Sequence, residues 1–480
     1  MIARIQSGAV QGIDGYRVEV EVSLAPGIPG MGIVGLPDTA VKESTDRVQA
    51  AIRNTRLEVP LKRITVNLAP ASIKKEGSAF DLPIALGILA ADGLVKPGRL
   101  ARHMILGELS LDGRIKPVRG ALCLAACARA EGLEGVLLPR ANAAEAAWVE
   151  GVRIYPVDNL PQALAFLNEE TEIEAHAPRS ADDFLKFGEY DMDFQDVKGQ
   201  HHVKRALEVA AAGGHNVLLI GSPGSGKSML AKRLSTILPK PTLDEAIETT
   251  KVHSILGLLD HGPGLVATRP FRAPHHTISD AGLIGGGRTP MPGEVAIAHN
   301  GVLFLDELPE FRRNVLEVLR QPLEDFQVRI ARAAGSIQFP TRFILVGAMN
   351  PCPCGYRSDP KRVCHCNPLQ IRKYVSKISG PLLDRIDLHV EVPSLDYEEL
   401  SSDLSGEPSA RIRERVERAW RVQYGRLPKS RFFCNASLGP RRLKTLCPLD
   451  AASKDLMKQA MDRLGLSARA HDRILKVART

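Results

Sequence analysis

Asn216-Val-Leu-Leu-Ile220 runs directly into Gly221-Ser-Pro-Gly-Ser-Gly-Lys227-Ser228. The first five residues read as a short buried strand. The next eight fit the pattern G-x-x-x-x-G-K-[ST], and Met229 to Leu238 reads as a helix. Glycines let the backbone wrap closely round a polyphosphate, so that successive N–H groups point at its oxygens. The residues that would cradle it are Gly221, Ser222, Pro223, Gly224, Ser225, Gly226, Lys227 and Ser228. Lys227 would reach the β and γ phosphates of ATP, and Ser228 would hold a magnesium ion. The helix start adds its positive dipole end. Strand, loop and helix in this order point to a nucleotide-binding α/β fold.

Two further apolar runs support that reading. Gly301-Val-Leu-Phe-Leu305 ends in Asp306-Glu307, where an open α/β sheet places its ligands. Asp306 would organise the magnesium shell and Glu307 would orient the attacking water. Arg342 to Asn350 is a third apolar strand, with Asn350 at its end to hold the water or the γ-phosphate from the side. Arg385 lies beyond the core strands and is the candidate for an arginine supplied to a neighbouring subunit's ATP. Arg469 is the candidate for a contact from a C-terminal helical lid. A surface ion pair is the alternative for each arginine, and Arg473 lies one turn from Arg469.

These residues resemble those of an AAA+ ATPase of the magnesium-chelatase-like branch, and within it the YifB/ComM family. The resemblance is carried by Arg269-Pro-Phe-Arg-Ala-Pro-His-His-Thr277, Gly285-Gly-Gly287, Pro292-Gly-Glu294 and Ala298 to Glu307. It continues through Met349-Asn-Pro-Cys-Pro-Cys-Gly355 and Ser379 to Asp387, and it runs over nearly the whole chain. It implies a homo-hexameric motor, a DNA helicase driving branch migration of recombination intermediates in natural transformation. It also implies about twenty-five further helical residues beyond Thr480, so the lid reads as truncated.

Residues 1–168 mix strands and helices. Tyr16 to Leu24 and Lys62 to Leu68 alternate with a period of two, and Gly135 to Leu138 is a short buried strand. Thr39 to Arg53, Phe80 to Ala91 and Arg119 to Ala130 read as helices. Lys75 to Leu82 and Gly113 to Leu122 resemble the proteolytic domain of Lon, a fold shared with domain 2 of ribosomal protein S5. Lon-type proteases use a serine and a lysine; the resemblance puts Ala79 and Leu122 at those positions, and neither can be activated. Ser78 and Lys116 are nearby but out of place. The expected organisation is therefore a non-proteolytic Lon-like N-terminal domain, 1–168, and an acidic linker, 169–190. An AAA+ core with helices on both faces of a parallel sheet, 191–397, and a helical lid, 398–480, would follow.

Cys352, Cys354, Cys364 and Cys366 form two close pairs separated by a polar loop, a pattern that can wrap one structural zinc ion. His365 is the runner-up ligand. Val328 to Phe339 reads as a hairpin around Ala334-Gly335, with Arg329 and Arg332 near its tip. Arg269 to Pro292 holds eight glycines and prolines and reads as a second loop. Basic side chains on such loops suit DNA phosphates, single-stranded or branched, with little sequence preference.

The chain has 480 residues, 44% hydrophobic and 25% charged, with a net charge of +8. Residues 411–480 carry 18 Lys or Arg against 6 Asp or Glu, so the rest of the chain is slightly acidic. A basic terminal region suits a polyanion, or is a solvated helical face. No apolar run is long enough for a membrane span, no apolar core follows the initial charge, and the clustered cysteines suit metal rather than disulfides. The expected compartment is the cytoplasm, with recombination proteins as further partners and no membrane. A chelatase-type motor remodelling a protein partner for metal insertion is the rival reading. An ATP-dependent protease is disfavoured by Ala79 and Leu122.

Overall fold

The computed structural model describes residues 2–75, 77–259, 262, 264–287, 290–332, 335–357, 359, 361–394, 406–426 and 434–480, with the side chains at 332 and 335 left aside. By contact the chain divides into two compact units. The first is Met1–Phe187 with Leu243–Ala267, and the second is Gly188–Thr242 with Thr268–Thr480.

The first unit is built on a seven-stranded sheet of β1 (Ile2–Gln11), β2 (Asp14–Ala25), β3 (Gly30–Val34), β4 (Arg63–Ala69), β5 (His103–Ile105), β6 (Gly135–Pro139) and β7 (Arg153–Val157). Their spatial order is β3-β4-β2-β1-β5-β6-β7. The pairs β1–β2 and β2–β4 are antiparallel and the others parallel. The period of two in β2 buries Val18, Val20, Val22 and Leu24 on one face, and β4 adds Ile64, Val66 and Leu68. Helix α1 (Thr39–Asn54) starts where the Asp38 carboxylate accepts the Val41 N–H at 2.8 Å. Helix α2 (Asp81–Ala91) is buried all round except at Ala90. Its Asp81 pairs with Arg47 of α1, Nε to Oδ2 at 2.8 Å.

Leucine and alanine stand at the two positions where the Lon resemblance expects lysine and serine. Leu122, in α3 (Ala121–Ala130), is fully buried, and its N–H donates to Glu145 Oε1 at 2.9 Å. The Ser78 hydroxyl donates to the Glu108 carboxylate, and Lys116 lies 3.7 Å from that group's other oxygen. Serine and lysine thus share a carboxylate rather than each other.

Two boundaries differ from expectation. Residues 243–267 are expected in the ATPase core from the sequence, but they belong to the first unit. The helix Leu243–Leu256 packs on α3, Ala246 and Leu265 join the cluster around Trp148, and Ser254 donates its hydroxyl to Glu145. The apolar face of this helix finds its partner there. The expected linker is not a separate segment either: residues up to Phe187 belong to the first unit, where the Phe184 ring meets Trp148 edge-on at 6.4 Å.

The second unit holds a five-stranded, wholly parallel sheet. Its strands are β8 (Val217–Gly221), β9 (Phe271–Arg272), β10 (Gly301–Leu305), β11 (Phe343–Met349) and β12 (Leu388–Val392), in the order β9-β10-β11-β8-β12. Strands β10 and β11 are buried along their full length, as their unbroken apolar sequences require. Helices α4 (His201–Gly213), α5 (Lys227–Ile237) and α6 (Ser409–Arg426) share a core with the sheet through Leu207, Leu230, Leu234, Ile412 and Val416. The C-terminal helices Pro440–Leu446 and Ala468–Arg479 meet in a small cluster of Leu438, Leu443 and Leu475. Buried His215 ties them to the sheet, with Nδ1 3.0 Å from Asp387 Oδ2 and Nε2 2.8 Å from Thr480 Oγ1. Among the described residues no helix is long and apolar enough to cross a membrane.

Candidate nucleotide site and cysteine cluster

Parallel strands bring the ends of β8, β10 and β11 to one edge of the sheet, and each end carries a polar residue expected from the sequence. The loop after β8 turns through Gly224 and Gly226, both left-handed at φ 79° and 89°, which a side chain would strain. Gly226 is the residue from which α5 starts. Gln200 fixes the loop from below: its Nε2 donates to Ser225 O at 2.7 Å and to Pro393 O at 3.1 Å.

Lys227 is buried. Its Nζ donates to Gly221 O at 2.7 Å, Ser222 O at 2.9 Å and Asn350 Oδ1 at 3.2 Å. Burial lowers its pKa below the ordinary lysine value, and the charges of Asp306 and Glu307 oppose that shift. Ser228 Oγ donates to Asp306 Oδ2 at 2.7 Å, and Asp306 Oδ1 accepts the Glu307 N–H at 2.9 Å. Glu307 is left-handed at φ 51°, a turn that ends the strand and leaves its carboxylate exposed. Lys227, Ser228, Asp306, Glu307 and Asn350 thus form one cluster.

The fit to a nucleotide rests on the loop itself. The Ser225 hydroxyl is buried without a hydrogen-bond partner, and a Cβ at Gly224 would meet only open space. Ser228 and Asp306 offer hard oxygens side by side, the donor set magnesium prefers. The two candidate arginines do not join this cluster. Arg385 folds onto its own unit: Nη1 donates to Pro381 O at 2.6 Å and Nη2 to the Glu324 carboxylate. Arg469 is exposed at the start of Ala468–Arg479, while Arg473 donates to Leu383 O at 3.1 Å.

His276 lies in the Arg269–Thr277 motif, but the motif assigns it no role at this site. Its Nδ1 lies 3.6 Å from Glu307 Oε2, and its ring packs on Phe311 and His275. The signal that points to a role is its position after β9, the neighbour of the strand that carries Glu307.

The sulfurs of Cys352, Cys354, Cys364 and Cys366 all lie within 4.8 Å of one another. The separations are 3.3 Å between Cys352 and Cys354, 3.7 Å between Cys352 and Cys364, and 3.6 Å between Cys354 and Cys364. A tetrahedral ion with zinc–sulfur bonds of about 2.3 Å needs sulfurs about 3.8 Å apart. The four residues therefore fit zinc, and exposed His365 is not in the group.

The expected hairpin is present as antiparallel Gln327–Arg332 and Gly335–Pro340. Val328 and Ile330 face inward and Arg329 is exposed; residues 333 and 334, the turn itself, and the Arg332 side chain lie outside the described residues. Among the described residues of the second loop, Arg269 and Arg272 are anchors rather than open cations, and Arg288 lies outside the described residues. Arg269 is buried and donates to Pro239 O and Asn300 O, at 2.7 and 2.9 Å. Arg272 makes a two-pronged pair with Glu294 at 2.7 and 2.9 Å.

Residues 193–400 match the family described as magnesium chelatase, subunit ChlI. Residues 20–142 match subunit ChlI of Mg-chelatase, and 406–480 match its C-terminal part. The chain is 43% identical to competence protein ComM of Haemophilus influenzae, over all of this chain and 93% of that protein. It is 41% identical to the uncharacterized protein YifB of Escherichia coli, over 99% and 92%. The magnesium-chelatase 38 kDa subunit of Rhodobacter capsulatus is 28% identical over 33% of this chain and half of its own length.

Proposed function

The chain belongs to the magnesium-chelatase-like ATPase family that includes ComM and YifB, and on that premise we propose that it is an ATP-driven DNA motor. Its subunits assemble as a homo-hexameric ring in the cytoplasm and drive branch migration of recombination intermediates. The observation that carries this reading is coverage: the competence protein is similar from end to end, the chelatase subunit over one third. Residues 20–142 are similar to the chelatase subunit as well, so the separation from a chelatase motor rests on that coverage.

Within the ATPase site, Lys227 binds the β and γ phosphates and Asn350 holds the γ-phosphate side. A magnesium ion, when bound, neutralises charge developing on the phosphates; Ser228 and Asp306 are the residues to hold it. Glu307 orients the water for attack, and His276 limits where that carboxylate can swing. Arg385 serves the neighbouring subunit's nucleotide after leaving Glu324, and Arg469 contacts the nucleotide from the helical lid. The exposed Arg329 and the basic C-terminal region meet DNA phosphates. The first unit is a Lon-like scaffold without peptidase chemistry, supported by buried Leu122 and by Ser78 being held on Glu108. The four cysteines hold a structural zinc ion.

The test is the ATPase rate with and without single-stranded or four-way-junction DNA, alongside movement of the junction itself. Stimulation by DNA and ATP-dependent junction movement, both absent in Glu307→Gln, are expected. Hydrolysis indifferent to DNA, with a static junction, would reject the motor reading.

A further inference from the structure

The cysteine cluster is built into the nucleotide site at three points. First, it begins two residues beyond Asn350, whose side chain accepts a hydrogen bond from Lys227. Second, Gly355, one residue after Cys354, lies against the phosphate loop. A Cβ there would come within 2.6 Å of Pro223 Cδ, and its φ of 86° is left-handed. Third, the segment leaving Cys366 returns to the site. Asn367 caps the helix Pro368–Val375, and Lys377, two residues past its end, holds both Glu310 carboxylate oxygens at 3.1 Å. Glu310 in turn donates its N–H to Glu307 O at 2.7 Å.

We propose that metal in the cysteine cluster and nucleotide in the phosphate loop are thermodynamically coupled, so that zinc sets ATP affinity and ATP tightens zinc. The proposal rests on the zinc reading above. Closing the four thiolates round one ion fixes Cys352 and Cys354, and with them the Gly355 backbone that backs the Pro223 side of the loop. Without the ion, the polar segment from 355 to 363 has no core of its own to hold that contact. An element that both ligands order gives positive coupling, and the coupling is reciprocal.

The experiment uses the full chain. The affinity of a fluorescent ADP analogue is measured on zinc-loaded and chelator-stripped protein, and zinc affinity by competition with a chromogenic chelator, with and without magnesium ADP. Each ligand should tighten the other by the same factor, about tenfold. Gly355→Ala keeps all four ligands, so it should hold one zinc ion while that factor falls towards one. It also decides the matter if stripping the metal unfolds the unit. Zinc present with no mutual effect, and an unchanged factor in Gly355→Ala, refutes the coupling and leaves the zinc reading standing. A purified chain with no metal and four titratable thiols refutes both.

Discussion

Lys227→Ala separates binding from folding, and its size can be worked out. In the unliganded protein the ammonium satisfies Gly221 O, Ser222 O and Asn350 Oδ1. Alanine removes those bonds, but it also removes a cation that burial disfavours. The two effects oppose, so unliganded stability should change by no more than about 2 kcal/mol. Nucleotide binding should be lost, because the phosphates lose their nearest point charge. At nucleotide one hundred times the parent dissociation constant, binding stabilises the folded state by about 2.7 kcal/mol. In a unit of this size each kcal/mol moves the melting temperature by about 2–4 °C. Magnesium ADP should therefore raise the parent transition by about 5–11 °C and leave Lys227→Ala where it was, read by differential scanning fluorimetry. A variant that keeps the parental shift would refute the assignment of this lysine to the phosphates.

Glu307→Gln should keep that thermal shift while steady-state hydrolysis falls by about 100-fold or more; turnover at the parent rate would remove Glu307 from the water-orienting role. Arg385→Ala should bind nucleotide and lose on the order of 10³-fold in hydrolysis. Mixed with Lys227→Ala it should regain activity, since one mixed interface has both an intact loop and an intact arginine; no recovery in mixed rings confirmed by mass would exclude a shared site. The hydrogen bond from Arg415 holds the Glu407 carboxyl below the ordinary glutamate range. A depressed carboxylate contributes stability above its unfolded pKa and loses it as pH falls through the folded one. Arg415 also pairs with Glu208, so the difference in urea midpoint between parent and Arg415→Ala should shrink from about pH 6 to about pH 3, and a constant difference would show that Arg415 contributes nothing through its charge to either carboxylate.

The ATPase half was legible because its signals are local. A buried strand must be apolar without interruption, and β10 and β11 are; phosphate chemistry needs fixed residue types at fixed spacing, and the loop supplies them. Strands β2 and β4 were legible for the same reason, since a sheet with one buried face writes a period of two. Strand β3 was not, because its alternation only sets exposed Gly30, Gly32 and Val34 against half-buried Met31 and Ile33, and no polar side chain in Gly-Met-Gly-Ile-Val marks the outer face. The helix Leu243–Leu256 reads as a helix anywhere; that its Ser254 meets Glu145, over a hundred residues earlier, is a non-local fact no window can hold. Arg385 had the same difficulty. Its motif names the residue, while Glu324 as its partner depends on how two distant segments pack.

The excursion of residues 243–267 has a consequence for how the gene can be cut. Neither unit is one contiguous stretch, so no single crossover point exchanges the first as a cassette. A fragment ending at Phe187 would present the uncovered seat of Ala246 and Leu265 to solvent, and an ATPase clone starting at Gly188 would carry the detached helix as a greasy flap. Splicing residues 243–267 onto the end of 1–187, and closing the gap between Thr242 and Thr268 with a short glycine–serine bridge, is the division that respects both cores.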